Sequence, residues 1–575
     1  MRLILRALKA LAGLPIRIWH RIGGSVPAMP DAPDGFVPRA KYRIAFLRTL
    51  AAPRWRRAVR AAVVIAGFAV YFGMQLLLAY AIKQIDVEPM SWVLLTAFFI
   101  VSISVALAAA KPTFAFIAWL VVSPLGFIFL RLDFGAGVPA ITFDRIVITT
   151  IAGILLARTL VERRRIKAPI PGEWLIGGFI AYTVLLVITL HPGGTQVKEF
   201  LSTVSERFDH IVLAVVVYYI AKAVLITRKQ VAWAVIGLVI TGLYVAGSAY
   251  YEHFTGSAWF SSFLGANYRL MYQDVGGGRA AGPLINPAAT GTFLGITAFL
   301  TFHLGVVSRN KFVKLWCIVG TLAQLLACYF TYTRSGYVAA VLLLVLLPFT
   351  TGRYRKSYAI FALMAAVAGI VLMPIELSRP DVFRRMSQEK TILVRAVVTK
   401  GTLNIIAHHP WFGVGLGEID RALDVYITNS GMLGGFYGRG VIPGQGHAPG
   451  KLLRPVTSHN SILTIIAEEG LIGGLLFVGA LMALLAHLFR VRARAPATGL
   501  LSKDFMSLLI IAVISHIIST LGYDIRFFRY PSYVLWLLFA LGVRLGEIQR
   551  EEQQQESVDT EPAKSLQRVG GLVHA

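Results

Sequence analysis

Long apolar segments recur along this chain, separated by polar connections. A helix rises about 1.5 Å per residue, so about 20 apolar residues cross a hydrocarbon core of about 30 Å. Helices satisfy their own backbone hydrogen bonds in lipid, where other open structures cannot. The pattern therefore predicts an all-α, polytopic transmembrane helical bundle of about 12–14 spans. The segments lie at about 61–82, 90–110, 112–130, 142–157, 173–190, 209–226, 230–250, 286–306, 312–332, 335–352, 357–374, 460–487, 503–521 and 531–548.

The composition excludes a soluble protein. Hydrophobic residues make up 56% of the chain and charged residues 15%, and the mean hydropathy is +0.67, which is more apolar surface than a soluble core could bury. The net charge of +27 would suggest a nucleic-acid partner in a soluble protein. Here the Lys and Arg residues fall in short runs between apolar segments, so we expect no nucleic-acid partner.

Cationic connections alternate with connections of mixed charge along the chain, and this alternation has no phase break. The positive-inside rule places the cationic connections and both termini in the cytoplasm, and the remaining connections outside. The cationic connections contain Arg158, Arg163, Arg164, Arg165 and Lys167; Arg228 and Lys229; Arg309 and Lys311; Arg353, Arg355 and Lys356; and Arg490, Arg492 and Arg494.

This alternation also predicts the domain organisation. The long outer loop is too long for a plain connection, and we expect short helices in it, one of them near Val382 to Ala407. The Glu- and Gln-rich tail is predicted to be disordered. The predicted parts are a basic cytoplasmic arm (1–59), a transmembrane bundle (60–374) with an outer loop at about 251–285, an outer loop domain (375–459), C-terminal transmembrane helices (460–549) and the cytoplasmic tail (550–575).

Four of the predicted outer segments contain residues that could bind a ligand or take part in a reaction. In the first, a run of glycines precedes an arginine. Gly276–Gly278 and Arg279 are followed by Asn286-Pro287 at the start of a helix. Glycines let the backbone approach a ligand closely, and a guanidinium offers a planar fork for phosphate oxygens. The alternative is a flexible loop with one solvated arginine.

The second segment, Thr331-Tyr332-Thr333-Arg334-Ser335-Gly336, is a very short connection between two apolar spans. Arg334 must therefore lie at or just within the outer interface, where an uncompensated cation is costly and usually has a functional partner. The neighbouring hydroxyls, including those of Thr333 and Ser335, favour function. A snorkelling anchor is the alternative.

The third segment begins a transmembrane helix with Ser458-His459-Asn460-Ser461. Histidine titrates near neutral pH and suits a general base for a sugar hydroxyl. Glu468 and Glu469 follow inside the apolar span, where carboxylates are expensive and usually functional. Alone, a histidine at a helix start is more often a cap or an interface residue.

The fourth segment, His408-His409-Pro410-Trp411-Phe412-Gly413-Val414-Gly415-Leu416-Gly417-Glu418, lies in the long outer loop. Adjacent histidines do not readily share a metal, and no H-E-x-x-H or clustered-cysteine pattern completes a site. We interpret the segment as a turn whose glycines allow tight packing, and we expect no metal.

Together, in this order and at these spacings, the four segments resemble the O-antigen ligase and polymerase superfamily. The resemblance covers about 270 to 475 in detail, and its most specific part is H-N-x-x-L-x-x-x-x-E-x-G, here from His459 to Gly470. The superfamily's members join lipid-linked polysaccharide to lipid A-core or polymerise repeat units. The basic N-terminal arm and about two additional spans depart from a twelve-helix ligase.

The resemblance implies metal-independent, cofactor-free transfer of a glycan from undecaprenyl diphosphate to lipid A-core or a glycan acceptor, at the periplasmic face of a bacterial inner membrane. It implies catalytic roles for Arg279, Arg334 and His459, and we add Asn460, Glu468, Thr333 and Ser335 as substrate-binding candidates. The diphosphate leaving group needs charge stabilisation, which arginines provide where the D-x-D motif of metal-dependent enzymes does not occur. Glu468 lies about 13 Å along the helix from His459, so direct contact is not expected.

Two other functions compete with a ligase. A polymerase or exopolysaccharide assembly protein of the same superfamily would share the donor and differ in the acceptor. A polysaccharide-lipid transporter would place ionisable groups near the bilayer midplane, whereas the arginines and histidine here lie at outer helix ends. Their position favours an enzyme.

Overall fold

The structure is a computed structural model that describes residues 102, 105–129, 131–132, 141–162, 169–190, 197–260, 279–378, 389–429, 458–525 and 528–573. Two compact units divide the chain, Met1–Met74 and Gln75–Ala575. All described residues belong to the second unit. The basic arm and the predicted span at 61–82 lie outside the described residues, and so does most of the span at 90–110.

Every other predicted span coincides with a helix. The helices are α1 (Pro112–Phe129), α2 (Phe143–Glu162), α3 (Pro171–Leu190), α4 (Val197–Val224), α5 (Arg228–Thr255), α6 (Pro287–Val307), α7 (Lys311–Phe330), α8 (Arg334–Thr350), α9 (Arg355–Leu377), α10 (Glu389–His408), α11 (Ile419–Asn429), α12 (Ser461–Arg494), α13 (Lys503–Ser519) and α14 (Arg529–Val573). A 3₁₀ turn, Gly282–Leu284, precedes α6, and strands β1 (Arg131–Leu132) and β2 (Ile141–Thr142) pair antiparallel.

Six of the described helices are long and apolar enough to cross a membrane. The predicted fold class is confirmed, because the described chain is a polytopic bundle of helices with one minimal strand pair. Helix α10 also lies where a short helix was predicted in the long outer loop. The six candidate spans are Pro171–Thr189, Arg228–Thr255, Pro287–Val307, Lys311–Phe330, Ser461–Arg494 and Arg529–Gln555; shorter apolar helices are Pro112–Gly126, Ile211–Val224 and Arg334–Thr350.

Helices α6 and α14 form the centre of the bundle. Their apolar windows are 83% and 94% buried, whereas that of α7 is 28% buried and lies at the periphery. Lipid is as apolar as leucine, so tight packing rather than hydrophobicity must hold helices together in a membrane. Gly291 of α6 and Gly336 of α8 meet this need, because a Cβ built on Gly336 would lie 2.8 Å from the Gly291 Cα. This close approach brings the N-termini of α6 and α8 together.

The cationic connections, which are predicted to be cytoplasmic, are joined to one another by hydrogen bonds of polar groups. Arg492 donates to the carbonyl of Thr350 at 2.7 Å, and the Asp504 carboxylate accepts the N–H groups of Gly352 and Tyr354 at 2.7 and 2.9 Å. These bonds tie the ends of α8, α12 and α13 to each other. The described contacts therefore agree with grouping these connections at one end of the bundle.

The last helix extends further than the composition predicts. Helix α14 continues to Val573, through the segment 550–575 for which disorder is expected. Ion pairs hold the first residues of this segment: Glu551 lies 3.1 Å from Arg544, and Glu552 lies 2.7 Å from Arg228. Such pairs, which link positions across the chain, cannot be recognised from the composition of the tail alone.

Candidate functional site

Two of the predicted motifs share hydrogen bonds where α6 and α8 begin. The Thr333 hydroxyl contacts that of Thr331 at 2.8 Å and donates to the Pro287 carbonyl at 3.3 Å. Asn286 caps α6 by accepting the Ala289 N–H at 3.0 Å. Thr333 is 4% exposed, so its hydroxyl joins the two turns in this structure.

Arg279 is fixed against the 331–334 turn. Its Nε donates to the Thr331 carbonyl at 3.3 Å, and the following Ala280 N–H donates to the Phe330 carbonyl at 3.0 Å. The buried Glu252 carboxylate accepts the N–H groups of Ala281 and Gly282 at 3.1 and 2.8 Å. Arg279 is thus held in contact with Thr331, 52 positions later in the sequence. It therefore lies beside the turn that leads to Arg334, the other predicted arginine.

The start of α12 is held against the connection between α13 and α14. Asn460 caps the helix by accepting the N–H groups of Ile462 and Leu463, each at 3.1 Å. The Ser461 hydroxyl donates to the carbonyls of Thr520 and Tyr523 and accepts the N–H of Ile525 at 2.9 Å. The Asn460 side-chain oxygen therefore has a structural function in addition to any contact with substrate.

The same connection also contacts α8. Ser519 donates its hydroxyl to the carbonyl of Ser335 at 3.0 Å, and a Cβ built on Gly522 would lie 3.5 Å from the Ser335 side chain. The N-termini of α6, α8 and α12 consequently converge on residues 519–525. This arrangement brings Arg279, Arg334 and His459 into one region.

Backbone strain is concentrated in this region. Among the described residues, three non-glycine residues have a positive φ: Ile285 (60°), Tyr332 (45°) and His459 (51°). Each immediately precedes the N-cap residue of one converging helix, Asn286, Thr333 or Asn460. Such conformations are uncommon outside glycine and persist where the surrounding structure enforces them, often at functional sites.

Electrostatic interactions connect two more side chains, Arg395 and Asp524, to the site. Arg395, on α10, lies close enough to Arg334 for the two cations to interact; burial in surrounding protein and this neighbour lower the pKa of Arg395. Burial lowers the pKa of the His459 imidazole below its usual value, Arg395 lowers it further, and Asp524 opposes both. Asp524 is 2% exposed. At neutral pH the His459 ring is therefore mainly neutral and able to accept a proton.

Sequence reasoning missed Arg395 and Asp524. Arg395 lies in a stretch that the sequence marks as a helix of the outer loop, with other basic residues nearby. Asp524 lies in the short connection Gly522-Tyr523-Asp524, directly after an apolar span. Arg334 was recognised because it lies in the same kind of short connection. An acidic residue beside an apolar span was the available signal.

Helix α12 breaks inside its apolar span, beside the fourth segment (408–418). Gly470 has φ 69° and ψ −176°, and the carbonyl oxygen of Trp411 would lie 2.0 Å from a Cβ built on it. The Leu471 N–H donates to Pro410, while Val414 and Gly415 donate to Ala467 and Glu468, at 2.7, 3.0 and 2.9 Å. The 410–415 turn thus supplies partners to the broken backbone, as membrane depth requires.

The two carboxylates before this break are fully buried. The Glu469 side chain accepts from the Thr183 hydroxyl at 2.7 Å, and Tyr182 donates to the Glu469 carbonyl at 2.9 Å. Glu468 is 0% exposed, and a Cβ built on Gly413 would lie 2.3 Å from its carbonyl carbon. Both residues lie more than two helical turns from His459, at the break.

The adjacent histidines have separate partners. His408 Nδ1 lies 2.8 Å from the Asn404 carbonyl, and His409 Nε2 lies 3.2 Å from the Tyr426 hydroxyl. The glycines that follow support a tight turn, with φ values of 69° at Gly413 and 103° at Gly415. This agrees with the interpretation of the segment as a packing turn.

Most of the residues that form the candidate site lie in a segment that matches a known protein family. Residues 319–478 match the model of the O-antigen ligase family. The resemblance predicted from the motifs is confirmed over this segment, and the chain is a multi-pass membrane protein that is similar there to the O-antigen ligase family. The match includes Arg334, Arg395, His459 and Glu468, while Arg279 and Asp524 lie outside it. A search of curated proteins found no match to this chain.

Proposed function

We propose that this protein transfers a glycan from a polyprenyl-diphosphate carrier, undecaprenyl diphosphate, to an acceptor hydroxyl on lipid A-core at the periplasmic face of the inner membrane. The observation that supports it is the convergence of Arg279, Arg334 and Arg395 with His459 at one group of helix N-termini. This combination joins anion-binding groups to one proton acceptor, as transfer from a diphosphate requires.

The leaving group accounts for the arginines. As the glycosidic bond breaks, its electron pair stays with the diphosphate oxygen, where negative charge grows. Guanidinium groups remain protonated and present planar donors to phosphate oxygens. The N-termini of α6, α8 and α12 add positive potential in the same region. These groups can stabilise the charge, so we propose that transfer needs no metal.

The acceptor accounts for the histidine. His459 takes the proton of the acceptor hydroxyl as that oxygen forms its bond to the anomeric carbon. The lowered pKa keeps the imidazole unprotonated near neutral pH, and Asp524 stabilises the imidazolium that forms. We propose His459 as general base, Asp524 as its positioning residue, and Arg279, Arg334 and Arg395 as diphosphate-binding residues.

The other predicted residues have supporting functions in this proposal. Thr333 and Asn460 hold the turns on which Arg334 and His459 lie. Ser335 joins α8 to residues 519–525 through its carbonyl. Glu468 is a component of the break in α12, and it keeps the start of that helix in place rather than contacting the base.

Reconstituted transfer tests the proposal. Purified protein in lipid nanodiscs receives a defined undecaprenyl-diphosphate glycan and lipid A-core, with and without a chelator. We expect glycosylated lipid A-core in both conditions and a rate about 10²–10³-fold lower in Arg395→Ala. Arg421→Ala is the matched control, because Arg421 is exposed on the neighbouring α11 and paired with Glu418 at 3.2 Å. Dependence on added metal, or full activity of Arg395→Ala, contradicts the proposal.

A polymerase of the same superfamily is the second candidate, since the site geometry fits any sugar hydroxyl as acceptor. The two are separated in cells. Loss of a ligase leaves long lipid-linked chains and unmodified lipid A-core, whereas loss of a polymerase leaves lipid A-core with at most a single repeat.

A further inference from the structure

A cleft lies between the C-terminal part of α12 and the middle of α14. It is lined by Arg490 and Arg494 from α12 and by Gln549, Arg550 and Gln553 from α14. The 34 residues of α12 correspond to about 50 Å of helix, and His459 precedes the first of them. The cleft is therefore at the opposite end of the bundle from the candidate site. We name these five residues the arginine cleft.

The positive charge of the arginine cleft is not neutralised by the nearest acids. Within the described chain, Arg490, Arg494 and Arg550 have no ion-pair partner. Glu551 and Glu552 follow Arg550 directly, but they pair with Arg544 and Arg228 on other faces of α14. Three neighbouring cations repel one another, and an anion between them removes that repulsion.

A buried amide gives a second, independent indication of a ligand. Gln549 is 6% exposed, and its Nε2 has no hydrogen-bond partner among the described groups. A buried N–H donor without a partner is unfavourable, so the site lacks an acceptor atom. An oxygen atom of a bound anion would supply it.

The position selects a lipid anion. The cleft lies at the ends of two candidate spans, Ser461–Arg494 and Arg529–Gln555, and therefore at the membrane interface. We propose that the arginine cleft binds the phosphate of an anionic phospholipid from the adjoining leaflet, with guanidinium and amide donors on its oxygens. In the proposed orientation this is the cytoplasmic leaflet. The assignment does not depend on glycosyl transfer.

Lipid retention tests the proposal with full-length protein in detergent. The protein is incubated with phosphatidylglycerol or phosphatidylcholine, and bound lipid is counted by native mass spectrometry. The test variant is Arg490→Gln/Arg494→Gln/Arg550→Gln. The matched control, Arg309→Gln/Lys311→Gln/Lys314→Gln, removes three exposed cations in and just before the first turn of α7. We expect the test variant to lose at least about tenfold in preference for phosphatidylglycerol, and the control to keep it.

A second variant covers the possibility that the triple variant does not fold. Gln549→Leu removes the amide donor without changing charge, and we expect weaker retention of phosphatidylglycerol with an unchanged melting temperature. Equal retention in wild type and Gln549→Leu, or in the folded triple variant and its control, overturns the proposal. Inorganic phosphate is the remaining probe: if it stabilises delipidated wild type as strongly as phosphatidylglycerol does, the ligand is a soluble anion and the lipid assignment is wrong.

Discussion

Gly415 donates its backbone N–H to the carbonyl oxygen of Glu468 at 2.9 Å. In an unbroken helix this carbonyl would accept from the residue four positions later, but Gly470 interrupts α12 before that turn is complete. The 410–415 turn replaces the lost partner. The segment before it, which includes Arg395, is thereby attached to the helix that begins beside His459. The break therefore connects the loop to the site.

Glycine substitutions at this contact should disrupt the protein. A Cβ at Gly413 would lie 2.3 Å from Glu468 and one at Gly470 would lie 2.0 Å from Trp411, and both residues have positive φ. We expect Gly413→Ala and Gly470→Ala to lower the melting temperature and the yield, since the strained φ alone costs about 1–3 kcal/mol. Thermal unfolding in detergent measures this.

Gly177→Ala is the control for these variants. Gly177 lies in α3 with no atom within 4 Å of a built Cβ, so alanine adds no clash there and improves helix propensity. Its melting temperature should stay at or above that of wild type. Equal stability of all three variants would show that the 410–415 turn does not pack on α12 as described.

The sequence was sufficient for the helices but not for all of the site. Apolar runs define spans because lipid imposes one simple length requirement. Arg334 and His459 were recognisable because charged or titratable side chains at span ends are unusual. Arg395 and Asp524 belong to the site through contacts between distant elements. Asp524 had a local signal, an acidic residue directly after an apolar span, whereas Arg395 had no distinctive local pattern.

The structural partners of the polar residues were also beyond the sequence. Contact of Thr333 and Asn460 with substrate stays a prediction, and in the structure their side chains also hold turns and cap a helix. A hydroxyl or amide at a helix start is compatible with both functions, so only partners decide. Likewise, the Gly470 break depends on the 410–415 turn, which is about 60 residues away.

Reporter fusions test the orientation. The alternation of cationic connections predicts a cytoplasmic signal at Arg164, Arg355 and Arg492 and a periplasmic signal at Gly278 and Gly435. Paired alkaline phosphatase and fluorescent-protein fusions measure each position. Arg355 and Arg492 lie in or beside connections that hydrogen bonds hold at the same end of the bundle. A periplasmic signal at one of them alone would therefore contradict the structure as well as the predicted orientation.

Arginine variants test the proposed diphosphate site. Arg334→Ala and Arg279→Ala should each reduce transfer by about 10²–10³-fold, as removal of a donor to developing charge does. Arg334→Lys keeps the charge but loses the planar fork, so partial activity at most is expected. Turnover is measured with a defined lipid-diphosphate donor at equal amounts of inserted protein. Wild-type turnover in Arg334→Ala would identify the residue as an interface anchor.

The general base is tested at His459. His459→Ala should lower the rate by about 10²–10⁴-fold, the usual contribution of a positioned base. His459→Gln should not restore it, since an amide accepts a hydrogen bond but does not take up the proton. Binding of the donor should be retained in both variants, which separates loss of catalysis from loss of folding. If purified His459→Ala transfers at the wild-type rate, His459 is an ordinary helix-start residue.

The pH profile offers a sharper test, because two neighbours shift the His459 pKa in opposite directions. A base works when unprotonated, so transfer falls as pH drops through this pKa, which lies below the ordinary value of about 6.5. Arg395 lowers the pKa, so Arg395→Gln should move the acidic limb to higher pH. Asp524 raises it, so Asp524→Asn should move that limb to lower pH. A purely structural role would reduce the rate at every pH without moving the limb. Shifts in the same direction, or an acidic limb that persists in the residual activity of His459→Ala, would assign the titration to another group.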